Sequence, residues 1–470
     1  MKQNISLLLL TVLFLFTITV QAEIKLPAIF GEYMVLQQQT DAAIWGKADA
    51  NKTVKITTSW NKESYSSKAD GDGNWKIKVA TPEAGGPYSI TITDGNSITL
   101  DNVLIGEVWI CSGQSNMQMP MKGYRHQPVF GANEAIAVSK NENIRLFTVE
   151  RAKTMNPQND FKGEWKECVP GNVVDFSATA YFFGRMINQA LDVPVGLICS
   201  SWGGTRIEPW MSESGINNFD FVDLPDKNKE EFSQQTPTVL YNAMIAPMVG
   251  YGIRGGLWYQ GEANRNQPLE YEKLMQGLIE NWRDEWGVGE FPFYFCQIAP
   301  YNYGYGGINS AFVRDAQRKA ALNTKNAGMA CLMDGGEEDN IHPGNKKEAG
   351  ERLAFWALVK TYGQSGIEYS GPELKEMKVE GQMVHLTFDH ARNGFTTYGK
   401  PLNSFMVAGK DKNFRKATAW ITNKGITLFN DRVREPVAVR YAWEDFIVGE
   451  LFNTEGLPAS SFRTDDWEVK

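Results

Sequence analysis

The sequence predicts an α/β protein: a three-layer α/β/α domain with a mainly parallel sheet, flanked by N- and C-terminal β-sandwich-like domains. Three observations lead to this prediction. Residues 23–104 contain short alternating strands, residues 105–365 alternate between strand and helix patterns, and the helical period disappears in residues 366–470. Alternating strands and helices imply a parallel sheet covered on both faces. Short strands at regular turn spacing are typical of β-sandwiches.

Both flanking regions show the period of two that β-strands require. In the N-terminal region, residues 54–58 and 88–92 alternate between apolar and polar side chains, and turns are predicted at residues 70–74 and 85–87. In the C-terminal region, strands are predicted over residues 383–388, 417–421 and 438–441. Each region is therefore expected to form a small β domain.

The central region carries the mixed pattern. Strands are predicted over residues 107–111, 195–199, 253–259, 291–298 and 329–333. Ser177 is a suitable cap for a helix that ends near residue 191, and another helix is predicted over residues 346–362. Pro268 opens a third helix, whose apolar face recurs with helical spacing: Tyr271, Leu274, Met275, Leu278, Ile279 and Trp282.

Size and charge exclude some classes of function. A chain of 470 residues is expected to contain two or three domains. The formal net charge is −8 and no basic stripe is present, which argues against a nucleic-acid partner.

Residues 1–22 have the pattern of a signal peptide. Lys2 precedes an apolar run over residues 7–16, and residues 20–22 (Val-Gln-Ala) resemble a small-residue cleavage site. A membrane anchor is the alternative, but the run is short for a bilayer core of about 30 Å. We therefore expect an exported protein, periplasmic or secreted, without stable membrane insertion after leader removal.

The cysteines do not suggest a disulfide framework. Their number is odd, five, and they are scattered along the chain. Cys199, Cys296 and Cys331 lie in apolar, strand-like runs, where buried free thiols are expected. Since no Cys/His spacing suits structural zinc, no metal site is predicted.

Four small, polar, glycine-bearing segments follow predicted strands, at residues 112–117, 200–205, 260–264 and 334–343. Ligands of open α/β sheets bind beyond the carboxyl ends of the strands, so these segments are expected to form one site.

Among four histidines, His342 alone follows a strand of the α/β region and has an aspartate, Asp339, three residues earlier. Asp339 can accept a hydrogen bond from imidazole Nδ1, which leaves Nε2 free as a general base. Ser115 follows Gly113 in the first segment and needs such a base to become a nucleophile. A turn serine that caps a helix is the alternative interpretation of Ser115.

The remaining segments offer donors for an oxyanion. Gly203 or Gly204 can present a backbone N–H, and Gln260 or Asn264 can present a carboxamide N–H. A tight strand-to-helix turn is the alternative role of the two glycines.

In this order the segments resemble the SGNH hydrolase superfamily, in its sialate O-acetylesterase-like branch. The resemblance covers most of the chain after the leader. Its motifs stand at residues 106–109, 113–117, 202–205, 210–211, 240–247, 258–262, 339–343 and 455–460.

The resemblance implies an SGNH-type catalytic domain and a carbohydrate O-acetylesterase without metal or organic cofactor. Ser115 would attack the acetyl carbonyl, His342 would relay the proton and Asp339 would orient His342. The oxyanion would be held by the N–H of Ser115, by Gly203 or Gly204, and by an amide, assigned to Gln260 with Asn264 as the alternative. Polar residues of these segments, together with the adjoining Arg206, are the predicted substrate-binding set: Gln114, Asn116, Arg206, Glu262 and Asn264.

An O-acetylated carbohydrate is thus the expected partner, with sialate as the first candidate. A segment that longer members of the branch carry is missing, since only about thirty residues separate Met211 from Tyr241. Acetylated xylan or another plant polysaccharide is therefore the alternative substrate. Arg206 can bind a sialate carboxylate or pair with Glu208. Three tryptophans near the motifs can stack on sugars or pack in the core: Trp202, Trp210 and Trp258.

Two other classes of function compete with this hypothesis. A non-catalytic carbohydrate-binding protein is one, and the candidate catalytic residues argue against it. A peptidase or lipase is the other, but residues 217–235 are mostly polar and charged, unlike an apolar lipase lid. With an unperturbed imidazole as base, activity should rise with pH through about 6.5.

Overall fold

The computed structural model describes residues 24–228, 231–304 and 306–468. The predicted leader, residues 1–22, lies outside the described residues. No helix within the described ranges is both long and apolar enough to cross a bilayer.

The N-terminal region forms seven strands: β1 (Val35–Gln37), β2 (Asp41–Lys47), β3 (Thr53–Thr58), β4 (Ser64–Lys68), β5 (Asn74–Ala80), β6 (Gly85–Thr93) and β7 (Ser97–Gly113). Strands β2 and β5 pair antiparallel as a two-stranded sheet, and β4, β3, β6 and β7 pair in that order. In β5 every second side chain is buried, as the period of two predicts.

The central region contributes six further strands: β8 (Asn141–Thr148), β9 (Trp165–Cys168), β10 (Val195–Ser201), β11 (Gly255–Tyr259), β12 (Phe293–Cys296) and β13 (Ala327–Ala330). With β7 they form a sheet in the order β13-β12-β11-β7-β10-β8-β9. All neighbours are parallel except β8 and β9. This is the mainly parallel sheet that the sequence predicted.

Eight α-helices accompany these strands within the described residues: α1 (Ser115–Gln118), α2 (Ala132–Ala137), α3 (Pro170–Val173), α4 (Ala178–Leu191), α5 (Glu213–Ile216), α6 (Pro268–Trp286), α7 (Ala311–Asn323) and α8 (Lys346–Trp356). A π-helical turn, Ala357–Thr361, continues α8. Ser177 caps α4 as predicted, because its Oγ accepts a hydrogen bond from Ala180 N at 3.1 Å.

The two faces of the sheet pack into different hydrophobic clusters. Val108 and Ile110 of β7 join the cluster that contains the apolar face of α6. The intervening Trp109 and Cys111 join the cluster that contains α4 and α8. The alternation of side chains along β7 thus produces the three-layer α/β/α arrangement.

Strand β7 belongs to both the N-terminal and the central regions. Its first half pairs with β6 and β1, and its second half pairs with β10 and β11. The domain boundary proposed between residues 104 and 105 falls inside this strand, so the two regions share a continuous piece of backbone.

The C-terminal region contains ten strands: β14 (Glu373–Glu380), β15 (Met383–Asp389), β16 (Phe395–Thr396), β17 (Phe405–Ala408), β18 (Arg415–Lys416), β19 (Thr418–Thr422), β20 (Gly425–Phe429), β21 (Ala438–Tyr441), β22 (Phe452–Asn453) and β23 (Phe462–Arg463). They form sheets β14-β15-β20-β19, β18-β17-β21-β23 and β16-β22. The predicted fold class is confirmed.

One strand differs from its prediction. The apolar run at residues 329–333 was predicted as a strand, but β13 ends at Ala330. Cys331 and Met333 pack instead into the core of the C-terminal β region. The run is apolar because it contributes to two cores in succession.

All five cysteines are free and buried, which confirms the prediction for Cys199, Cys296 and Cys331. Burial disfavours the charged thiolate and raises the pKa of the Cys331 thiol to about 12. These thiols therefore behave as apolar core groups.

Candidate active site

Ser115 lies at the carboxyl edge of the sheet, as the first residue of α1. Gly113 ends β7 with φ +135°, and a Cβ at this position would lie 2.2 Å from the Tyr259 carbonyl oxygen. Only glycine fits between the strands here. Ser115 is half-buried, and among the described residues its backbone N–H meets no acceptor. That N–H is available to an oxyanion.

Gly203 lies directly against Ser115. An added Cβ would lie 3.2 Å from Ser115 Cβ, and the Gly203 N–H donates to Gln118 Oε1 at 2.7 Å. Gly204 is exposed, has φ +73°, and would give an added Cβ no neighbour within 4 Å. Of the two glycines, Gly203 is the one in contact with Ser115.

The structure brings His342 to the same place. The Tyr124 hydroxyl donates to the Ser115 carbonyl at 3.1 Å, and the Tyr124 ring packs edge-on against the His342 ring with centroids 5.2 Å apart. The Asn116 amide donates to the Ile341 carbonyl at 3.1 Å. Two connections therefore join the segment around Ser115 to the segment around His342, one through Tyr124 and one through Asn116.

The partner of His342 differs from the prediction. Its Nδ1 lies 2.8 Å from Gln127 Oε1, and no hydrogen bond to Asp339 occurs among the described residues. Asp339 is exposed, because Glu337 and Asn340 make the inward contacts of this loop. Glu337 accepts from Gly344 N, and Asn340 accepts from His342 N. The predicted Asp339–His342 contact is therefore wrong for this geometry.

The predicted carboxamide donors lie in the core rather than free at the site. The Gln260 amide donates to Thr205 O at 3.1 Å and to Asn264 Oδ1 at 2.8 Å, so its hydrogens are occupied. The Asn264 amide donates to Glu208 Oε2 at 3.1 Å. Both side chains are buried and hold the oxyanion-side loops together. Either would have to break a hydrogen bond to reach an oxyanion.

Asn116, the residue after Ser115, is the centre of a buried polar network. Its amide donates to Glu262 Oε1 at 2.7 Å, and its Oδ1 accepts from Lys346 Nζ at 2.5 Å. Lys346 is 1% exposed. Burial lowers the pKa of Lys346 to about 7, and burial raises the pKa of Glu262. These groups fix Asn116 rather than lie open to solvent.

The pKa of the His342 imidazole is also shifted. Burial lowers its pKa to about 4, and the positive charge of Lys346 contributes to the same shift. His342 is consequently neutral across the physiological range, which is the state that a general base requires.

The other predicted binding residues occupy different positions. Gln114 is buried and its Oε1 accepts from Ala263 N at 3.3 Å. Arg206 is exposed, and its guanidinium makes no hydrogen bond or ion pair within the described part of the chain. Glu208 instead binds Asn264, so the alternative pairing with Arg206 does not form.

Trp210 and Trp258 are fully buried and pack edge-on with centroids 6.1 Å apart, which confirms core packing over sugar stacking. Trp202 is half-buried beside Gly203, with the Arg151 guanidinium 5.6 Å from its ring centroid. Trp202 alone of the three is placed to meet a ligand.

Sequence analysis missed three residues of the site: Tyr124, Gln127 and Lys346. The first two come from the loop after α1, which shows no strand-end pattern. Lys346 had a readable signal, because a cation in the first turn of a helix opposes the helix dipole. No group of three His, Cys, Asp or Glu suited to a metal occurs among the described residues.

The family model for the sialic acid-specific acetylesterases among the carbohydrate esterases matches residues 105–358, more than half of the chain. The chain belongs to this family. Among its relatives, the sialate O-acetylesterase of Rattus norvegicus is 29% identical over an alignment of 424 positions, which covers 76% of this chain and 77% of the relative. That of Mus musculus is 27% identical over an alignment of 479 positions, which covers 87% of this chain and 88% of the relative.

A solved structure agrees with these relatives. The carbohydrate acetylesterase from Xanthomonas citri is 33% identical and superposes with a TM-score of 0.87. The superposition covers 95% of this chain and 100% of the Xanthomonas chain. The protein is therefore an ester hydrolase, a carbohydrate acetylesterase of the SGNH type, as the sequence resemblance implied.

Proposed function

We propose that this acetylesterase cleaves acetyl esters on sugars through an acetyl-enzyme, with Ser115 as nucleophile and His342 as general base. The observation that supports the proposal is the double connection between them, through Tyr124 and through Asn116 to Ile341. It joins a serine at a helix N-terminus to a neutral imidazole at the open edge of a parallel sheet.

In the proposed reaction, His342 Nε2 takes the Ser115 hydroxyl proton as Oγ attacks the acetyl carbonyl. The tetrahedral oxyanion accepts hydrogen bonds from the Ser115 N–H and from a glycine N–H. Contact with Ser115 favours Gly203 over Gly204 for this role, and the Gly203 N–H must first leave Gln118 Oε1, to which it donates at 2.7 Å. The C–O bond to the sugar breaks, and the imidazolium returns its proton to the sugar hydroxyl. Water then attacks the acetyl-enzyme by the same route and releases acetate.

The third member of the catalytic set has two candidates. Asp339 is the sequence-based proposal, and Gln127 is favoured by its 2.8 Å contact with Nδ1. A carboxamide oxygen that accepts a hydrogen bond from Nδ1–H fixes the imidazole tautomer in which Nε2 carries no proton, as a carboxylate would. It adds no negative charge, so it stabilises the imidazolium less.

The test is acetate release from O-acetylated sialic acid and from acetylated xylan, side by side. We expect Ser115→Ala to lower kcat by about 10⁴-fold or more with an unchanged fold. Brief reaction of the wild-type enzyme with an activated acetate ester should add one acetyl group to the peptide that contains Ser115. Near-normal hydrolysis by Ser115→Ala would contradict Ser115 as nucleophile. Absence of hydrolysis by the wild type would favour the alternative of a non-catalytic carbohydrate-binding protein.

The substrate is proposed to be O-acetylated sialic acid, with acetylated plant polysaccharide as the alternative. The free guanidinium of exposed Arg206 supports the first, because it can bind a carboxylate bidentately. We expect Arg206→Ala to raise KM for O-acetylated sialic acid about tenfold or more and to leave KM for acetylated xylan unchanged. Equal effects on both substrates would contradict a carboxylate-binding role.

We also propose that the protein is exported, on the pattern of residues 1–22. Expression of the full chain should give a mature protein that begins near Glu23 in the periplasmic or culture fraction. N-terminal sequencing of each fraction checks this. An unprocessed N-terminus in the cytosolic fraction would contradict it.

A further inference from the structure

A cleft of about 620 Å³ separates the N-terminal β region from the catalytic region. One wall is formed by β2 and β5, where Trp45 and Gly46 pair with Lys76 and Trp75. The opposite wall includes Gln158 and Asp160, from the loop after β8. The cleft is large enough for one or two sugar units.

The chemistry of the cleft is that of a carbohydrate site. Trp45 is half-buried, with the Lys76 ammonium 5.6 Å from its ring centroid. Trp75 is 3% exposed, and its indole N–H has no acceptor in the described structure. Lys76 is likewise without an ion pair among the described residues.

Two further hollows lie between the cleft and the neighbourhood of Ser115. It shares Gln158 and Asp160 with a neighbouring hollow of about 560 Å³. That hollow shares Glu150 and Arg151 with a third, of about 480 Å³.

The third hollow is lined by Gln118 and Tyr124, which contact Gly203 and Ser115. The three hollows thus follow one another along the loop at residues 149–163, from residues that contact Ser115 and Gly203 to the N-terminal β region, and we call this row of hollows the track.

We propose that this track binds the continuing chain of an O-acetylated polysaccharide, with the Trp45–Trp75 cleft as a distal subsite. The inference rests on the proposed function and narrows its substrate class from a single sugar to a polymer. A long, hydroxyl-rich ligand can follow all three hollows, whereas one acetylated sugar fills only the space at Ser115. The distal subsite holds the chain and takes no part in the chemistry.

Two variants alter the cleft and spare the catalytic site. Asn159→Trp places a bulky ring in the cleft from an exposed lining position, and Lys76→Ala removes the ammonium beside Trp45. The matched control is Lys78→Ala, because Lys78 is exposed on the same strand and the same face, two residues beyond Lys76, and does not line the cleft.

The first measurement is KM for acetate release from acetylated xylan and from O-acetylated polysialic acid, with 4-nitrophenyl acetate as the small ester. For the polymer that the wild type hydrolyses, we expect each cleft variant to raise KM about five- to tenfold, the effect of one or two lost sugar contacts. Hydrolysis of the small ester, and all kinetics of Lys78→Ala, should stay unchanged. Wild-type KM values for both cleft variants on the polymer would overturn the proposal.

The second measurement separates binding from chemistry. In a Ser115→Ala background, calorimetric titration with the same polymer should show affinity that falls about five- to tenfold with Asn159→Trp and stays constant with Lys78→Ala. If the polymer binds, if Asn159→Trp weakens that binding, and if the wild-type enzyme nevertheless does not hydrolyse the polymer, the catalytic proposal alone is refuted. Intact turnover with binding unaffected by Asn159→Trp would refute the distal subsite alone.

Discussion

At the scale of single residues, the proposed general base His342 is expected to determine how activity depends on pH. The base acts only when neutral, so activity is lost as pH falls through its pKa. Burial and the charge of Lys346 lower that pKa to about 4, so the acid limb should lie near pH 4 rather than near 6.5. We expect kcat/KM to change by less than about twofold between pH 5.5 and 8. Steady-state kinetics with a chromogenic acetate ester measure this, and a midpoint near 6.5 would contradict it.

Lys346 provides a second test of the same electrostatics. Its positive charge disfavours protonation of His342, so removal of that charge should raise the imidazole pKa. We expect Lys346→Met to move the acid limb of kcat/KM to higher pH and to lower kcat, since Asn116 loses its 2.5 Å partner. The control is Lys347→Met, an exposed neighbour. A lower kcat with no change in the acid limb of kcat/KM would show that Lys346 has a purely structural role.

The orienting partner of His342 can be decided by comparing two substitutions. If the 2.8 Å contact persists during turnover, Gln127→Ala should lower kcat about 10- to 100-fold, because the imidazole loses its fixed tautomer. Asp339→Asn should then change kcat less than about threefold, since Asp339 is exposed. Single-turnover acetate release measures both. The reverse order of effects would restore Asp339 to the catalytic set.

At the scale of elements, the turn after β10 positions its two glycines for different reasons. A Cβ on Gly203 would press on Ser115 Cβ at 3.2 Å and on Gln118 Oε1 at 3.1 Å. We expect Gly203→Ala to lower kcat about 10- to 100-fold with little loss of stability, because a displaced nucleophile attacks poorly.

Gly204 has open space around it but φ +73°, so Gly204→Ala should cost about 1 kcal/mol of unfolding free energy and leave kcat within about threefold. Kinetics and denaturant titration of both variants separate the two effects. Equal losses of kcat would mean that both glycines serve the oxyanion.

At the scale of the whole molecule, the sequence predicted those strands and helices whose buried side chains recur with a regular period. Strands β7, β10 and β11 and helices α4 and α6 have clear patterns, and the ends of β7 and β10 located Ser115 and Gly203. His342 was located from the apolar run at residues 329–333, of which only the first part is strand β13. Helix α7 escaped prediction because its buried face is partly polar: Arg314, Asp315, Gln317 and Arg318. Gln127 escaped because a loop contact 215 residues apart leaves no local pattern.

That polar helix joins the catalytic and C-terminal regions. Arg314 of α7 is fully buried, and burial lowers its pKa to about 10. Its guanidinium donates to Ser461 Oγ at 2.9 Å and to the carbonyls of Asp445, Ala442 and Glu444. In the same region Gln297, just beyond β12, donates to Ser460 Oγ at 2.6 Å. The motif at residues 455–460 is thus explained by its attachment to the catalytic region.

We therefore expect Arg314→Leu to lower the free energy of unfolding by about 3 kcal/mol or more, because several buried carbonyls lose their donor at once. Lys325→Ala, beyond the end of the same helix and exposed, should change it by less than about 0.5 kcal/mol. Denaturant titration measures the loss, and hydrogen exchange locates it. Exchange should increase first in β21 and β23, which lie on either side of the arginine contacts. An even increase across all strands would indicate that the two regions unfold as one unit.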